Sequence, residues 1–381
     1  MNTNKSIFSS LGRFLEKARR VMLNLSTAFI LFFLAIIIIG SLRSLGSEKK
    51  DPSGSVLSIN PKGTVVDQAV FHYDFFKNPG TNFSMDQIQT RDLIQVIRAA
   101  SGDEDLPAVF IDFSSTNFAG PTTAINIAKE LKMLRDSGKR VIAFTDRLST
   151  SSYLMASQAS EVWVHPVGSV SIRGLGGMRA YNKELYEHLK INISNYSEGD
   201  FKSAHESNTR TNMSENDRIQ RVALLDPLWS EIKYLMAEGR GLKLDDIQSF
   251  ADNYIGFFGE AAIGNIAYAE ANNIIDGTKS FPEFRQYMIK EFGADEEAET
   301  ESYKTISFTD YAKHIDKDYY DFNNQIAVIT AEGTIMKGQV SQGVAGADGI
   351  VKQIKSAHEN ENTKAIVFRI NSPGGLSLIH I

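Results

Sequence analysis

Apolar and polar positions divide this chain into an uninterrupted apolar run, an alternating β/α body, a helix-rich middle and a second β/α stretch. The first is 22 residues long, Val21 to Leu42, with no charge between Arg20 and Arg43. At about 1.5 Å per residue a helix of this length crosses about 30 Å of hydrocarbon. Val56 to Val66 alternates around Pro61-Lys62-Gly63 and predicts strand, turn, strand. Asn78-Pro79-Gly80 marks a loop, and Met85 to Ala100 a helix with Leu93, Val96 and Ile97 on one face. Ala108 to Phe113 then predicts a buried strand, Ser114 to Pro121 a loop, and Ala124, Ile127, Ala128, Leu131 and Leu134 one helix face ended by Gly138. Val141 to Phe144, Ser151 to Ser157 and Glu161 to Val164 continue as strand, short helix, strand. Strands joined in this order by helices predict a largely parallel sheet.

Ser214 has the place of an N-cap, and Ile219, Val222, Leu225, Leu228, Trp229, Ile232, Leu235 and Met236 recur at helical spacing up to Gly239. Pro227 predicts a kink or a break within that helix. Shorter helices are expected at 244–253, 260–272 and 284–292, followed by an acidic linker from Ala294 to Ser302. A pattern then returns. Gly63-Thr64-Val65-Val66 is echoed by Gly333-Thr334-Ile335-Met336. Ala108-Val109-Phe110-Ile111 before Ser114-Ser115 is echoed by Ala365-Ile366-Val367-Phe368 before Asn371-Ser372. Thr64 to Ala108 is 44 residues and Thr334 to Ala365 is 31, so the first copy carries 13 more, placed in the Phe71 to Met85 loop. The expectation is a duplicated α/β unit whose second copy starts near Gln325.

Composition changes this picture in three ways. Five basic residues (Lys5, Arg13, Lys17, Arg19, Arg20) precede the apolar run against Glu16 alone, which places the N-terminus in the cytoplasm and the bulk of the chain outside the inner (plasma) membrane. A net charge of -6 and the lack of any basic block argue against a nucleic-acid partner. The chain has no cysteine, which excludes disulfides, thiol nucleophiles and zinc–thiolate sites; its seven histidines show no metal-ligand spacing. No cofactor and no metal are expected.

Two stretches carry candidate chemistry. Lys202 stands in Asp200-Phe201-Lys202-Ser203-Ala204, in a connection between a polar turn and the long helix. Phe201, Ser203 and Ala204 beside it are suited to shelter an amine from water, and burial disfavours the charged form of a lysine. A neutral amine can take the proton of a serine hydroxyl. A solvated surface lysine is the plain alternative. Asn371-Ser372-Pro373-Gly374-Gly375 follows a strand; glycines there leave backbone N–H groups unobstructed, as an oxyanion hole requires, or simply form a strand-to-helix turn.

Taken together, Asp112 to Gly120, Leu131 to Val141, the Lys202 motif with Arg210 and Met213-Ser214, Gly333 to Met336 and Ala365 to Gly375 resemble the long, duplicated form of the signal peptide peptidase A (protease IV) family. The resemblance implies an α/β, ClpP/crotonase-like fold behind one transmembrane helix, and a serine endopeptidase with a Ser/Lys dyad degrading cleaved signal peptides. It implies that Lys202 is the general base, that Gly374 and Gly375 lie by the oxyanion hole, and that the protein is a homo-oligomer, a tetramer in the family. The family's serine lies in a Ser-Gly-Gly-Tyr segment a strand, helix and strand beyond Pro-Gly-Gly. Leu376 to Ile381 does not resemble that segment. The first-copy counterpart, Thr150-Ser151-Ser152-Tyr153, puts Thr150 at the serine position without the glycines and reads as structural.

The expected organisation is therefore a cytoplasmic N-terminus (1–20), an anchor (21–42), a linker (43–55) and a first copy with the lysine (56–293). A linker (294–324), the start of a second copy (325–375) and a non-matching tail (376–381) follow. The expected polypeptide is a C-terminally truncated fragment, inactive alone. The competing expectations are a non-catalytic, membrane-tethered scaffold or oligomer subunit, and a crotonase-type enzyme acting on acyl thioesters, which the outside topology opposes.

Overall fold

The computed structural model describes residues 16–17, 19–20, 22–35, 51–68, 87–253, 256, 263–315, 323–338 and 344–375. The chain divides into two units, 1–50 and 51–381. In the first, residues 22–35 are helical, Arg20 pairs with Glu16 at 2.8 Å, and Phe29 packs on Phe33 with ring centroids 5.0 Å apart. Among the described residues no helix is long and apolar enough to cross a membrane. Val21 and positions 36–42 of the predicted span lie outside the described residues, as do the expected inserted loop at 71–85 and the tail 376–381.

The second unit is an α/β fold built on parallel sheets. Its main sheet has six strands in the order β8-β7-β6-β4-β1-β9, where β1 is Val56–Ile59, β4 Val109–Ile111, β6 Val141–Ser149, β7 Glu161–Ser171, β8 Gly277–Thr278 and β9 Thr305–Ser307. Every pairing is parallel. Side chains alternate across it with period two. Leu57, Ile59, Val109, Ile111, Val141 and Ala143 join the larger core with Leu93, Ile97, Ile127 and Leu131 of helices Thr90–Gly102 and Pro121–Asp136. Val56, Ala108, Ile142 and Phe144 face the other way and pack on Phe284 and Met288 of helix Phe281–Phe292. Two covered faces explain why these strands read as near-continuous apolar runs.

A smaller parallel sheet, β3-β2-β5, joins β2 (Gly63–Val66) to β3 (Gln87–Gln89) and β5 (Thr116–Phe118). Pairing with β2 draws Gln87–Gln89 out of the helix expected from Met85, which starts at Thr90. It also makes a strand inside the loop expected at Ser114 to Pro121. Of the linker expected at 294–324, Thr305–Ser307 adds a strand beside β1. The long helix Glu215–Arg240 continues through Pro227 and ends at Gly241, whose φ of +64° suits a glycine. Only its second half meets the core, through Ile232, Leu235, Met236 and Ala237; Ile219, Val222 and Leu224 stay exposed.

The order of pairings recurs near the C-terminus. Strand β10 (Gln325–Glu332) pairs in parallel with β13 (Thr363–Asn371) across helix Ala347–Glu359, as β1 pairs with β4 across Thr90–Gly102. Strand β11 (Thr334–Met336) pairs with β12 (Val344–Gly346) as β2 pairs with β3, and Ile335 bridges Gly375 as Val65 pairs with Phe118.

Candidate functional site

Strand β7 ends at Ser171, and the chain then makes an excursion before the helix at Glu215. From Arg173 to Asn216 no residue is buried; Ile172 and Asp217 are the buried positions at its two ends. Lys202 lies within this excursion, after the C-terminal end of a parallel strand, where α/β folds place their sites.

The backbone around Lys202 is held from two sides. On its N-terminal side, Asn216 Nδ2 donates to the Asp200 carbonyl at 2.8 Å and Gln220 Nε2 to the Phe201 carbonyl at 2.7 Å. On its C-terminal side, Arg179 Nη2 donates to the carbonyls of Ser203 at 3.0 Å and Ala204 at 2.9 Å. The turn is closed by Lys202 N–H to the Gly199 carbonyl at 3.2 Å, with Gly199 at φ +99°. The Lys202 side chain itself is exposed, and Phe201 is 53% exposed. The shelter expected from Phe201, Ser203 and Ala204 is absent here. Ser203 turns inward to a carboxylate, and Ala204 and Phe201 are themselves exposed.

The inward partner is Asp217. It accepts from Ser203 Oγ at 2.8 Å, Arg221 Nε at 2.9 Å and Arg179 Nη1 at 3.3 Å. Burial alone would raise this carboxyl, but the bonds from Arg221 and Ser203, with the charges of Arg221 and Arg179, outweigh it and hold the group below the ordinary carboxylate range. Beside the cluster lies a groove of about 400 Å³ whose lining includes Leu175, Tyr181, Met213, Val222, Leu225 and Arg218. Sequence reasoning singled out Ser214, Arg210 and Lys202 but not Asp217, Arg179 or Arg221. A signal existed for the first: an acidic residue three positions after an N-cap serine stands in the first helical turn. Arg179 had none, being 38 residues away in sequence.

Gly374 and Gly375 belong to the C-terminal pairings. Gly374 has φ +115°, and a Cβ on Gly375 would stand 2.1 Å from the Ile335 carbonyl oxygen, so the chain there admits only glycine. The Gly374 N–H donates to Ser372 Oγ at 3.1 Å, and the Gly374 carbonyl accepts from Ile335 N–H at 2.9 Å. Lys202 and the two glycines thus sit on separate elements. Thr150 opens helix Thr150–Ala156; its hydroxyl donates to the Arg173 carbonyl and accepts from the Arg173 N–H, both at 2.8 Å. With both roles in use it ties the end of β7 to the helix start. His205, close to Lys202 in sequence, is exposed.

The stretch that runs from the helix before β6 to β8 contains both Thr150 and the pinned lysine loop. Residues 133–279 match peptidase family S49. The S49 segment thus spans Thr150, Lys202 and Asp217 and stops short of Gly374. Over a longer alignment the chain is similar to Protease 4 of Haemophilus influenzae, 28% identical over 291 residues, covering 76% of this chain and 47% of that protein. It is 29% identical over 375 residues to Protease 4 of Salmonella typhi, covering 95% and 58%. Serine protease SPPA, chloroplastic, of Arabidopsis thaliana is 21% identical over 334 residues, covering 85% and 46%. The chain spans about half the length of these relatives. Among solved structures, a ClpP1 mutant from Listeria monocytogenes aligns with a TM-score of 0.32 at 11% identity, over 58% of this chain and 91% of that one, a likeness too slight to bear on the fold.

Proposed function

We propose that the S49 segment supplies the general base of a membrane-anchored Ser/Lys endopeptidase acting on cleaved signal peptides and similar short peptides. Lys202 is that base. Its neutral amine takes the proton of a serine hydroxyl as the oxygen attacks the scissile carbonyl carbon, and the resulting ammonium returns it to the leaving amine; water then releases the acyl group by the same route. Gly374 and Gly375 belong beside the oxyanion in this reading. One observation carries it: within a segment matching peptidase family S49, the carbonyls on both sides of Lys202 are hydrogen-bonded while the lysine itself is left exposed.

An exposed lysine needs two things from elsewhere, a serine and an apolar cover. We assign both to a continuation of the repeated unit or to another copy in a homo-oligomer, a tetramer by resemblance. Exposed Phe201, Ile219, Val222 and Leu224 offer the apolar surface for such a contact. The recurrence of β1-β2-β3-helix-β4 pairings in β10-β11-β12-helix-β13 supports a duplicated ClpP/crotonase-like unit of which 325–375 is the start. The apolar run before Arg43 supports an inner-membrane anchor with the body of the chain outside.

A second reading, a non-catalytic membrane-tethered scaffold, is favoured by the engagement of the Gly374 N–H with Ser372 and by the exposure of Lys202. Hydrolysis of a quenched fluorescent signal-peptide substrate by the assembled protein decides between them. Lys202→Ala is expected to leave the fold intact and lower kcat by about 100-fold or more. Near-normal turnover in that variant would remove the lysine from the mechanism and leave the scaffold.

A further inference from the structure

We propose that Asp217 is the positioning residue for Lys202, fixing the loop through Ser203 and Arg179. Between Ile172 and Asp217 no residue is fully buried; Leu175 packs on the core near the start of the excursion, and apolar packing holds little of the stretch around Lys202. The order around the lysine rests on polar links: Asn216 and Gln220 hold its N-terminal side, and those on its C-terminal side converge on one carboxylate that is 2% exposed. Asp217 takes the Ser203 hydroxyl directly. It also shares Arg179, whose other nitrogen grips the two carbonyls that follow Lys202. Bonds with one ionised partner are the stronger kind, and a shared guanidinium fixes direction as well as distance. Asp217 in turn is held in place by its own N–H, which donates to Ser214 Oγ at 3.1 Å, and by Arg221 one helical turn on. The rigid helix is thereby connected to a loop with no core of its own. Asp217 touches no substrate atom in this scheme; it acts by keeping the amine where a serine can meet it.

The functional consequence rests on the peptidase reading of Lys202, whereas the pinning does not, and the test separates the two. Asp217→Asn keeps the shape and removes the charge. Ser203→Ala, at a partly exposed site, removes one link and leaves the helix untouched. Trypsin cuts after lysine only where the backbone opens, so cleavage after Lys202, followed by mass spectrometry in the full-length chain, reads the loop directly. Lys190 and Lys243, both exposed, serve as internal controls. The expected result is about a tenfold or greater rise in cleavage after Lys202 in Asp217→Asn and a smaller rise in Ser203→Ala, with Lys190 and Lys243 unchanged. In peptide hydrolysis, Asp217→Asn should lower kcat by about tenfold to a hundredfold with KM little altered, the pattern of a misplaced group. Unchanged cleavage after Lys202 in both variants, or an equal rise at all three lysines, would overturn the proposal. So would a freed loop with full kcat. If Asp217→Asn does not fold, Ser203→Ala decides alone on the same readouts. A wild-type protein that hydrolyses nothing would count against the peptidase reading only, since the trypsin result still decides the pinning.

Discussion

Gly239→Ala sets two known effects against each other at one position. Alanine is favoured over glycine by about 0.8–1.0 kcal/mol in a helix interior, an upper bound for Gly239 in the last turn, so on propensity alone the change stabilises. Gly239, however, lies where helix Glu215–Arg240 passes the turn after helix Thr150–Ala156. A Cβ there would stand 2.2 Å from the Ser157 carbonyl oxygen, 2.9 Å from its carbon and 3.1 Å from Gln158 Nε2, against an ordinary contact of 3.4 Å or more. Two of those atoms are backbone, so relief requires the helix to move by about 1 Å. Overpacking of this kind costs about 1–3 kcal/mol. The movement also stretches the buried bond from Gln158 Nε2 to the Leu235 carbonyl, now 3.0 Å, worth about 1 kcal/mol. The net expectation is destabilisation by about 1–3 kcal/mol, seen in urea unfolding followed by tryptophan fluorescence as a midpoint lower by about 0.5–1 M. An unchanged or raised midpoint would refute the argument that close helix approach, rather than helix propensity, governs this site. The helix displaced by the change is the one whose first turn holds the Lys202 loop, so turnover should fall with it.

Substitutions at two other positions test the frame around the site. Arg140 Nε and Nη2 bond Glu161 at 2.9 and 2.8 Å, and Tyr287 and Trp163 donate to its other oxygen, tying helix Phe281–Phe292 to β7. Burial would raise this carboxyl, but those hydrogen bonds hold it below its ordinary value. Its contribution is therefore present above the unfolded carboxylate pKa and is lost as pH falls through the lower folded one. Glu161→Gln should cost about 1–2 kcal/mol at pH 7 after allowance for partial exposure, with the difference from wild type shrinking toward zero below about pH 4. A pH-independent difference in urea midpoints would contradict this. Thr150→Val should lose about 1–2 kcal/mol through the two bonds to Arg173, while Thr150→Ser stays near wild type in stability and gains no hydrolytic activity. Activity gained by the serine variant, measured on the same peptide substrate, would make position 150 a nucleophile site after all.

Much of the parallel architecture was legible because buried strands and amphipathic helices have different periods, and residues such as Leu93, Ile97, Ile127 and Leu131 repeat at the helical one. What was misplaced had one cause. Gln87–Gln89 and Thr116–Phe118 are strands only because β2 lies between them, and pairing with a distant partner outweighs local preference. The same holds for Thr305–Ser307, in a stretch expected to be linker. The Lys202 motif was visible as a pattern, but the shelter imagined for it was inferred from neighbours in sequence. Ser203 and Phe201 are oriented by groups on another element.

By itself the sequence determined the central strands β1, β4, β6 and β7 and the larger amphipathic helices, the repeated Gly-Thr and Ala-Ile/Val patterns, and which lysine stands in a connection, since each depends on residues a few positions apart. Only the tertiary structure decided that the lysine is exposed, that Thr150 is saturated by Arg173, and that a buried aspartate organises the loop. These outcomes depend on where hydrogen-bond partners remote in the chain, such as Arg179 and Asp217, come to lie, and no local spacing encodes that distance.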